Sequence, residues 1–567
     1  MGGRGKAKRR RRDLSSSAGD AIDLISGLGD DVLVRILELM PDTRDAVRTD
    51  ALSRRWRGLW TRVPDLRFAS DSWPEFSAAT DAERFAALVD GALALRAAHT
   101  DPTIENLAVS FNLTSLSGHD ESRRVVPPSV TAVQGWIHFA VRHELKTLDL
   151  ELQLPAIYNP SPSRMRVTMN LDSLQGSAKM ETMRLALGHA ILHLPSSAVF
   201  ASLTDLTLEL VVFAHGTLHL LTRLLSSSCC PRLQKLRLRK IGLLIARLQD
   251  LPIEASALLE LSLEDIDDPG KLQLRTPSLR VLLVNNCSME ALTLAAPKLR
   301  VLRVNNCYMK ALTLAAPKLE RLVFLGNHSG SVYVEDGLPG VRRLKVELRS
   351  HDVDQLRPKD FMEADLMDID YYINDDPRII INKEVIRLLQ CCTSLNCLNV
   401  SLRVPKMGDR NLIEYRIPHL PLVASLVVRA SLLELHLSLL EDSVESLLTK
   451  CSNLRHLRLH LEYSMNTEDV STLRFSSWDR MQSLKSYKIL LPHLEKVEIK
   501  GLAGTNRELM FTQFVLSSTT ELQKATISFD EHYMSKGYAS ELLPSLGNGT
   551  WTACPGTSLQ YKWRRHL

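Results

Sequence analysis

What the sequence has little of narrows its possibilities first. Aromatic residues make up only 5% of the 567 positions. No stretch approaches the ~20 consecutive apolar residues that a membrane-crossing helix needs, and nothing near the start resembles a signal peptide, so no membrane partner is expected. Net charge is only +5 and the sequence pI about 8.6, too mild for nucleic acid to be the expected partner. None of the nine cysteines sits in a CxxC pair or a small disulfide-rich block, which suits a reducing compartment. In that setting the Asn-x-Ser/Thr sequons at Asn112, Asn327, Asn399 and Asn548 are chance matches.

Catalytic signatures are missing as well. The chain has no G-x-S-x-G, no P-loop and no G-x-G-x-x-G. His189 and His193, and likewise His215 and His219, have the i, i+4 spacing of a zinc pair. Neither pair carries the Glu of H-E-x-x-H. Cys391, Cys392 and Cys397 cluster without an obvious His partner. These groups read as half-buried histidines and buried thiols, and no enzyme activity, metal or cofactor is expected.

What is present begins with Asp23 to Phe68, DLISGLGDDVLVRILELMPDTRDAVRTDALSRRWRGLWTRVPDLRF. Asp30 and Asp31 are the N-cap oxygens expected for a helix carrying Val32, Leu33, Ile36 and Leu37, which Pro41 stops. Thr43 is expected to cap a second helix with Ala46 and Val47. Ser53 would cap a third, with Trp56, Leu59 and Trp60 along one side. A unit of about 45 residues cannot bury all of these apolar side chains by itself, so some must meet another surface.

This stretch resembles the plant F-box. The matching residues are Leu28, Asp30 to Leu33, Ile36, Leu37, Ala46 to Thr49, Leu52, Ser53, Arg55 to Arg57, Leu59, Trp60 and Pro64. The resemblance implies docking onto a Skp-type adaptor and, through it, a cullin. The residues it implies in that contact are Leu28, Asp31, Val32, Leu33, Ile36, Leu37, Leu52, Trp56 and Trp60. Gly29 departs from the pattern, because the family usually has Pro there. The greater freedom of Gly is expected to lower adaptor affinity.

Residues 1–20 form a basic tail, and disorder is expected because like charges repel and Ser, Gly and Ala offer nothing to bury. Lys8, Arg9, Arg10, Arg11 and Arg12 read as a nuclear import signal, giving an expected location in nucleus and/or cytoplasm. After the F-box-like unit (21–68), residues 69–129 read as a helical linker, rich in Ala and Leu, followed by an exposed loop from Ser115 to Pro128.

Leucine-rich repeats are expected over 130–490. TPSLRVLLVNNCSMEALTLAA and APKLRVLRVNNCYMKALTLAA follow one another and fit L-x-x-L-x-L-x-x-N/C-x-L. Weaker copies run from Leu203 to Leu459, with wider gaps near 350–390 and 405–450 that read as degenerate repeats or inserted loops. Alternate side chains of each L-x-L point inward, and stacked neighbours must cover them. Cys287 and Cys307 occupy the inward turn position and read as structural. The neighbours of the inward set face outward onto the concave sheet: Lys235, Arg237; Val281, Leu283, Asn285; Val301, Arg303, Asn305; Arg321, Val323. These are the expected target-binding residues, because exposed apolar side chains between polar flanks mark an interaction surface.

Residues 491–530 alternate as strand, helix, strand. They resemble the FBD motif of plant F-box proteins through Leu494, Val497, Ile499, Gly501, Gly504, Glu508, Phe514, Leu516, Leu522 and Ile527. Residues 531–567 read as a loosely ordered tail. The expected fold is α+β: a three-helix F-box, a leucine-rich-repeat α/β solenoid, and an FBD-type β-α-β cap. The expected function is a non-catalytic substrate receptor of a Skp-cullin-F-box ubiquitin ligase, binding an unknown protein target. The alternatives are a scaffold outside any ligase and a small-molecule (hormone) sensor of the same architecture.

Overall fold

One parallel sheet organises the molecule. It begins at Asp65–Ala69 and continues through Asn106–Asn112, Thr147–Gln153, Thr182–His193, Asp205–Phe213, Lys235–Leu243, Glu260–Glu264, Val281–Asn285, Val301–Asn305, Arg321–Leu325 and Arg343–Arg349. Cys397–Val404, Ser425–Leu432, His456–Tyr463, Lys496–Leu502 and Lys524–Phe529 extend it further, each parallel to the last. The computed structural model describes residues 25, 27–73, 76, 78–98, 104–116, 118–158, 166–214, 217–243, 250–266, 270–349, 377–404, 417–432, 437–463, 489–534, 536–546, 550–554 and 559–564. The basic tail, with Lys8 and Arg9 to Arg12, lies outside the described residues.

The sheet starts far upstream of residue 130, where the repeats were expected to begin. One element before that point differs from the expectation. The polar stretch from Ser115 to Pro128 is not a loop but the start of a helix, His119–Arg142, with Pro127 and Pro128 inside it. Each proline removes a backbone donor. Burial of Val125, Val126, Val130, Val133, Trp136 and Ile137 along one side outweighs that loss. The expected helix after residue 69 is present at Ala79–Ala98, and the two helices are tied where Trp136 Nε1 donates to Asp90 Oδ1 at 2.7 Å.

What backs the sheet depends on repeat length. The repeats between 250 and 334 are offset by about twenty residues, as in the pairing of Val281 with Val301. That length leaves no room for a helix. The chain returns instead through a second parallel sheet, Leu251–Ile253, Lys271–Arg275, Ser288–Ala295, Tyr308–Ala315 and His328–Val334. Longer repeats carry helices: Leu218–Leu224, Pro377–Cys391, Leu437–Lys450 and Asn506–Ser517. The wide gaps near 350–390 and 405–450 thus hold helix-and-strand repeats in their described parts. Buried Glu384 closes the edge of the second sheet by accepting from the Val332 N–H at 2.7 Å.

The C-terminal region is more regular than expected. Lys496–Leu502, the helix Asn506–Ser517 and Lys524–Phe529 form the β-α-β unit read from the sequence. The chain beyond is not loose in its described part. Gln560–Arg564 pairs antiparallel with Lys524–Phe529, and Thr550–Ala553 pairs antiparallel with it in turn. This hairpin, rather than the β-α-β unit, ends the described sheet.

Candidate functional site

Two surfaces stand out from the packed interior, one at the start of the chain and one along the sheet.

At the start, helix Asp30–Glu38 buries Leu33, Val34 and Leu37. They pack toward Leu59, Trp60 and Val63, which are also buried. Asp30 and Asp31 do not cap this helix. Its N-cap is Gly29, with no side-chain bond. The two carboxylates instead reach Arg55 and Arg62, at 2.9 and 2.7 Å, charge-assisted pairs that outcompete a neutral backbone donor. The second helix, Thr43–Arg48, is capped by Asp42 rather than Thr43, the Asp42 side chain accepting from the Arg44 N–H at 2.8 Å.

The third expected α-helix is absent. Residues 54–58 are turns, followed by a single 3-10 turn at Leu59–Arg62. Gly58 breaks the helix: its φ of 75° is left-handed, and its N–H is drawn to Asp50 Oδ1 at 3.0 Å.

This geometry splits the residues expected to meet an adaptor. Leu33, Leu37 and Trp60 are buried in the chain's own core, whereas Val32 (47% exposed), Ile36 (36%) and Leu52 (68%) face solvent. Leu28 and Trp56 are half-buried against the core, and Asp31 is exposed. Ile25 and Leu39, not singled out from the sequence, are exposed too. Of the twelve large apolar side chains exposed among the described residues, five lie between 25 and 52, so this short segment presents a concentrated apolar surface.

Along the sheet, the alternation follows the expected register. Leu236, Leu238, Leu282, Val284, Leu302, Val304 and Leu322 are buried. Lys235, Arg237, Arg303 and Arg321 are exposed, and Val281, Leu283, Asn285, Val301 and Asn305 are partly exposed. Val323 is the exception, at 4%. It lies between Arg303 and Lys345 on the neighbouring strands, residue types whose aliphatic stems are long enough to shield an apolar neighbour.

Side chains at the turns hold the strands in step. Asn305 Nδ2 donates to Asn285 Oδ1 at 3.0 Å. Asn327 accepts from the Cys307 N–H at 2.9 Å and donates to the Val304 carbonyl at 2.8 Å. The thiols of Cys287 and Cys307 each donate to a backbone carbonyl two residues earlier, at 3.2 Å, consistent with a structural role. Burial pushes the Cys230, Cys392 and Cys451 thiols up to about 12.

His189 is half-buried in an irregular stretch of strand, and burial and then Lys240 lower its pKa. Among the described residues no group of three or more His, Cys, Asp or Glu side chains converges as metal ligands would.

The β-α-β unit carries a feature the sequence reading passed over. Thr505 and Glu508 form a capping box, spelled T-x-x-E in the sequence. The Glu508 carboxylate is buried. It accepts from the N–H groups of Ala503 (3.0 Å) and Thr505 (2.8 Å) and from the hydroxyls of Thr505 and Tyr463.

Residues 484–527 match the family model FBD. Similar curated proteins come from Arabidopsis thaliana. An F-box/LRR-repeat protein is 29% identical over 232 residues, 40% of this chain and 46% of the relative. An FBD-associated F-box protein is 30% identical over 277 residues, 47% and 55% of the two chains. An F-box/FBD/LRR-repeat protein is 28% identical over 272 residues, 46% and 53%. The chain spans about half the length of these relatives. Together the matches show that it is similar to plant proteins of the F-box/leucine-rich-repeat/FBD type.

Proposed function

We propose that this protein is the substrate-recognition subunit of a Skp-cullin-F-box ubiquitin ligase. In this reading the N-terminal helices dock a Skp-type adaptor and the open face of the sheet holds the target. The carrying observation is the apolar surface of Val32, Ile36, Leu39 and Leu52, set ahead of a long sheet whose outer face is open. The protein itself performs no chemistry. It raises the concentration of a bound target beside a charged ubiquitin-conjugating enzyme, and proximity supplies the acceleration.

Val32→Asp combined with Ile36→Asp tests this. Both side chains are exposed, so the thermal unfolding of the chain is expected to be unchanged. Burying a charge in the interface should cost about 2–4 kcal/mol at each central position, and co-purification of the Skp-type adaptor and a cullin should be lost. Undiminished capture by the double variant sinks the docking reading. Capture of the adaptor by the parent chain without any cullin moves the protein to the scaffold alternative.

A further inference from the structure

The open face of the sheet divides by how its charges are answered. In the first half most of the cations are answered by carboxylates on neighbouring strands, with Arg237 the exception. Arg184 reaches Asp149 at 2.8 Å, with Glu151 and Glu209 each at 3.3 Å. Arg239 reaches Glu209 and Glu264, at 3.0 and 3.5 Å. From Val301–Asn305 onward the pattern changes. Arg303, Arg321, Arg343, Lys345 and Arg429 all occupy outward positions. Among the described residues, none of the five has a carboxylate within ion-pair distance.

Two of these cations are placed against each other. Arg321 and Arg343 are direct cross-strand partners, an arrangement that costs stability when nothing neutralises it. Lys345 is held below the usual lysine range by burial first, then by Arg429, Arg303 and Arg321, so these four charges feel one another. Further along the same face, Arg458, Lys496, Lys524 and Lys562 line an open depression of about 280 Å³. Glu498 also lines it, engaged by Arg458 at 3.1 Å and Lys500 at 2.6 Å. Buried Glu347 and exposed Glu462 are the other carboxylates at outward positions here.

The size and chemistry of this stretch select its occupant. The eight strands from Val301–Asn305 to Lys524–Phe529 span about 34 Å at the usual strand spacing, which matches about ten residues of extended chain. The cations are spread along that length rather than gathered at one point, which suits a series of carboxylates better than a single phosphate. No Phe, Tyr or Trp stands at an outward position between Val281 and Ser528 on these strands, so the stacking platform that single-stranded nucleic acid uses is missing. At one end lie the partly exposed Val281, Leu283 and Val301.

We propose that the face from Val281 to Lys562 receives an extended Asp/Glu-rich peptide segment of the recruited protein. Apolar residues of that segment rest on Val281, Leu283 and Val301, and its carboxylates lie against Arg303, Arg321, Lys345 and the cations beyond. The inference rests on the recruitment reading above and adds the class of target.

Fluorescence anisotropy of the full chain tests it. The probe is a labelled peptide of about thirteen residues in which Glu alternates with Leu and Ser, long enough to span the strands from Val281–Asn285 to Gln560–Arg564. Saturable, salt-sensitive binding is expected, weakened about tenfold or more by Arg303→Glu with Lys345→Glu. The same charge change off the face, Lys298→Glu with Lys318→Glu, should leave it unaltered. Several outcomes overturn the proposal: no saturable binding, equal loss in both double variants, binding only when Ser is phosphorylated, or displacement by an oligothymidylate at lower concentration than by the peptide. Circular dichroism melting confirms that the variants fold. If the face pair melts early, Arg303→Gln with Lys345→Gln replaces it and the same loss is required. Adaptor capture measured on the same preparations separates the readings. Lost peptide binding with retained adaptor overturns only the acidic-segment inference, whereas absent adaptor capture by the parent chain overturns the ligase reading.

Discussion

Gly29 shows how one residue can depart from a motif and still keep its geometry. Its φ of −68° and extended ψ of 156° are those of a proline preceding a helix. A Cβ added there would meet nothing within 4 Å. The penalty of Gly therefore lies in the unfolded chain, which has more conformations to lose, and not in a distorted helix start. Gly29→Pro should stabilise the N-terminal segment by about 0.4–1 kcal/mol and tighten adaptor capture by no more than a few fold. Chemical denaturation beside a capture titration measures both. A loss of stability would show that the Gly29 N–H or the conformation of Leu28 matters more than the entropy. Val323 carries the complementary lesson. Counting by two placed it outward, correctly, but the period cannot tell that an outward position flanked by Arg303 and Lys345 is buried.

At the scale of the element, the β-α-β unit hangs on Glu508. Burial lifts this carboxyl above its ordinary value despite the bonds it accepts from Tyr463, Ala503 and Thr505. The folded chain thus holds the proton more tightly than the unfolded chain. The contribution is present at low pH and is lost as pH rises through the folded pKa. Glu508→Ala removes the capping box and the acceptor of the Tyr463 hydroxyl, and should destabilise the unit by about 2–3 kcal/mol. Hydrogen exchange of helix Asn506–Ser517 reads this directly, and unchanged protection would mean that the cap is dispensable. Close packing adds a second constraint: Gly501 has a φ of 80°, and a Cβ there would lie 2.1 Å from the Leu461 carbonyl oxygen.

Elements were legible in the sequence where one short-range rule governed them. The L-x-L strands show a clean period of two, and T-x-x-E at Thr505 was there to be read. Helix His119–Arg142 was hidden because Pro127 and Pro128 announce a break that buried Val125, Val126 and Val130 override. The expected third N-terminal helix failed for the opposite reason. Its apolar spacing was right, but Gly58 turns left-handed beside Asp50. The set expected to face an adaptor divided because helical spacing identifies an apolar side chain without saying whether it meets this chain or another.

For the molecule as a whole, stability is a sum over neighbours rather than a property of one centre. The near-identical copies around 277–316 make this testable. Deleting residues 287–306 joins Asn286 to Cys307, which occupies the place of Cys287 in the next repeat, so register is kept on both sheets. The shortened chain should fold, retain adaptor capture and melt about 2–4 °C lower. Failure to fold would show that the repeats are not interchangeable.

The two-sheet stretch between 250 and 334 also sets how the molecule bends. A strand occupies about 4.8 Å along the stack, whereas a helix needs 8–10 Å. Helix-backed repeats are therefore wider behind than in front and must arc. Where strands back strands, front and rear advance equally, and the stack runs straight. The stretch between 250 and 334 is thus expected to be straighter than helix-backed repeats. Duplication of a twenty-residue unit would lengthen this straight stretch by about one strand spacing at a time without adding curvature.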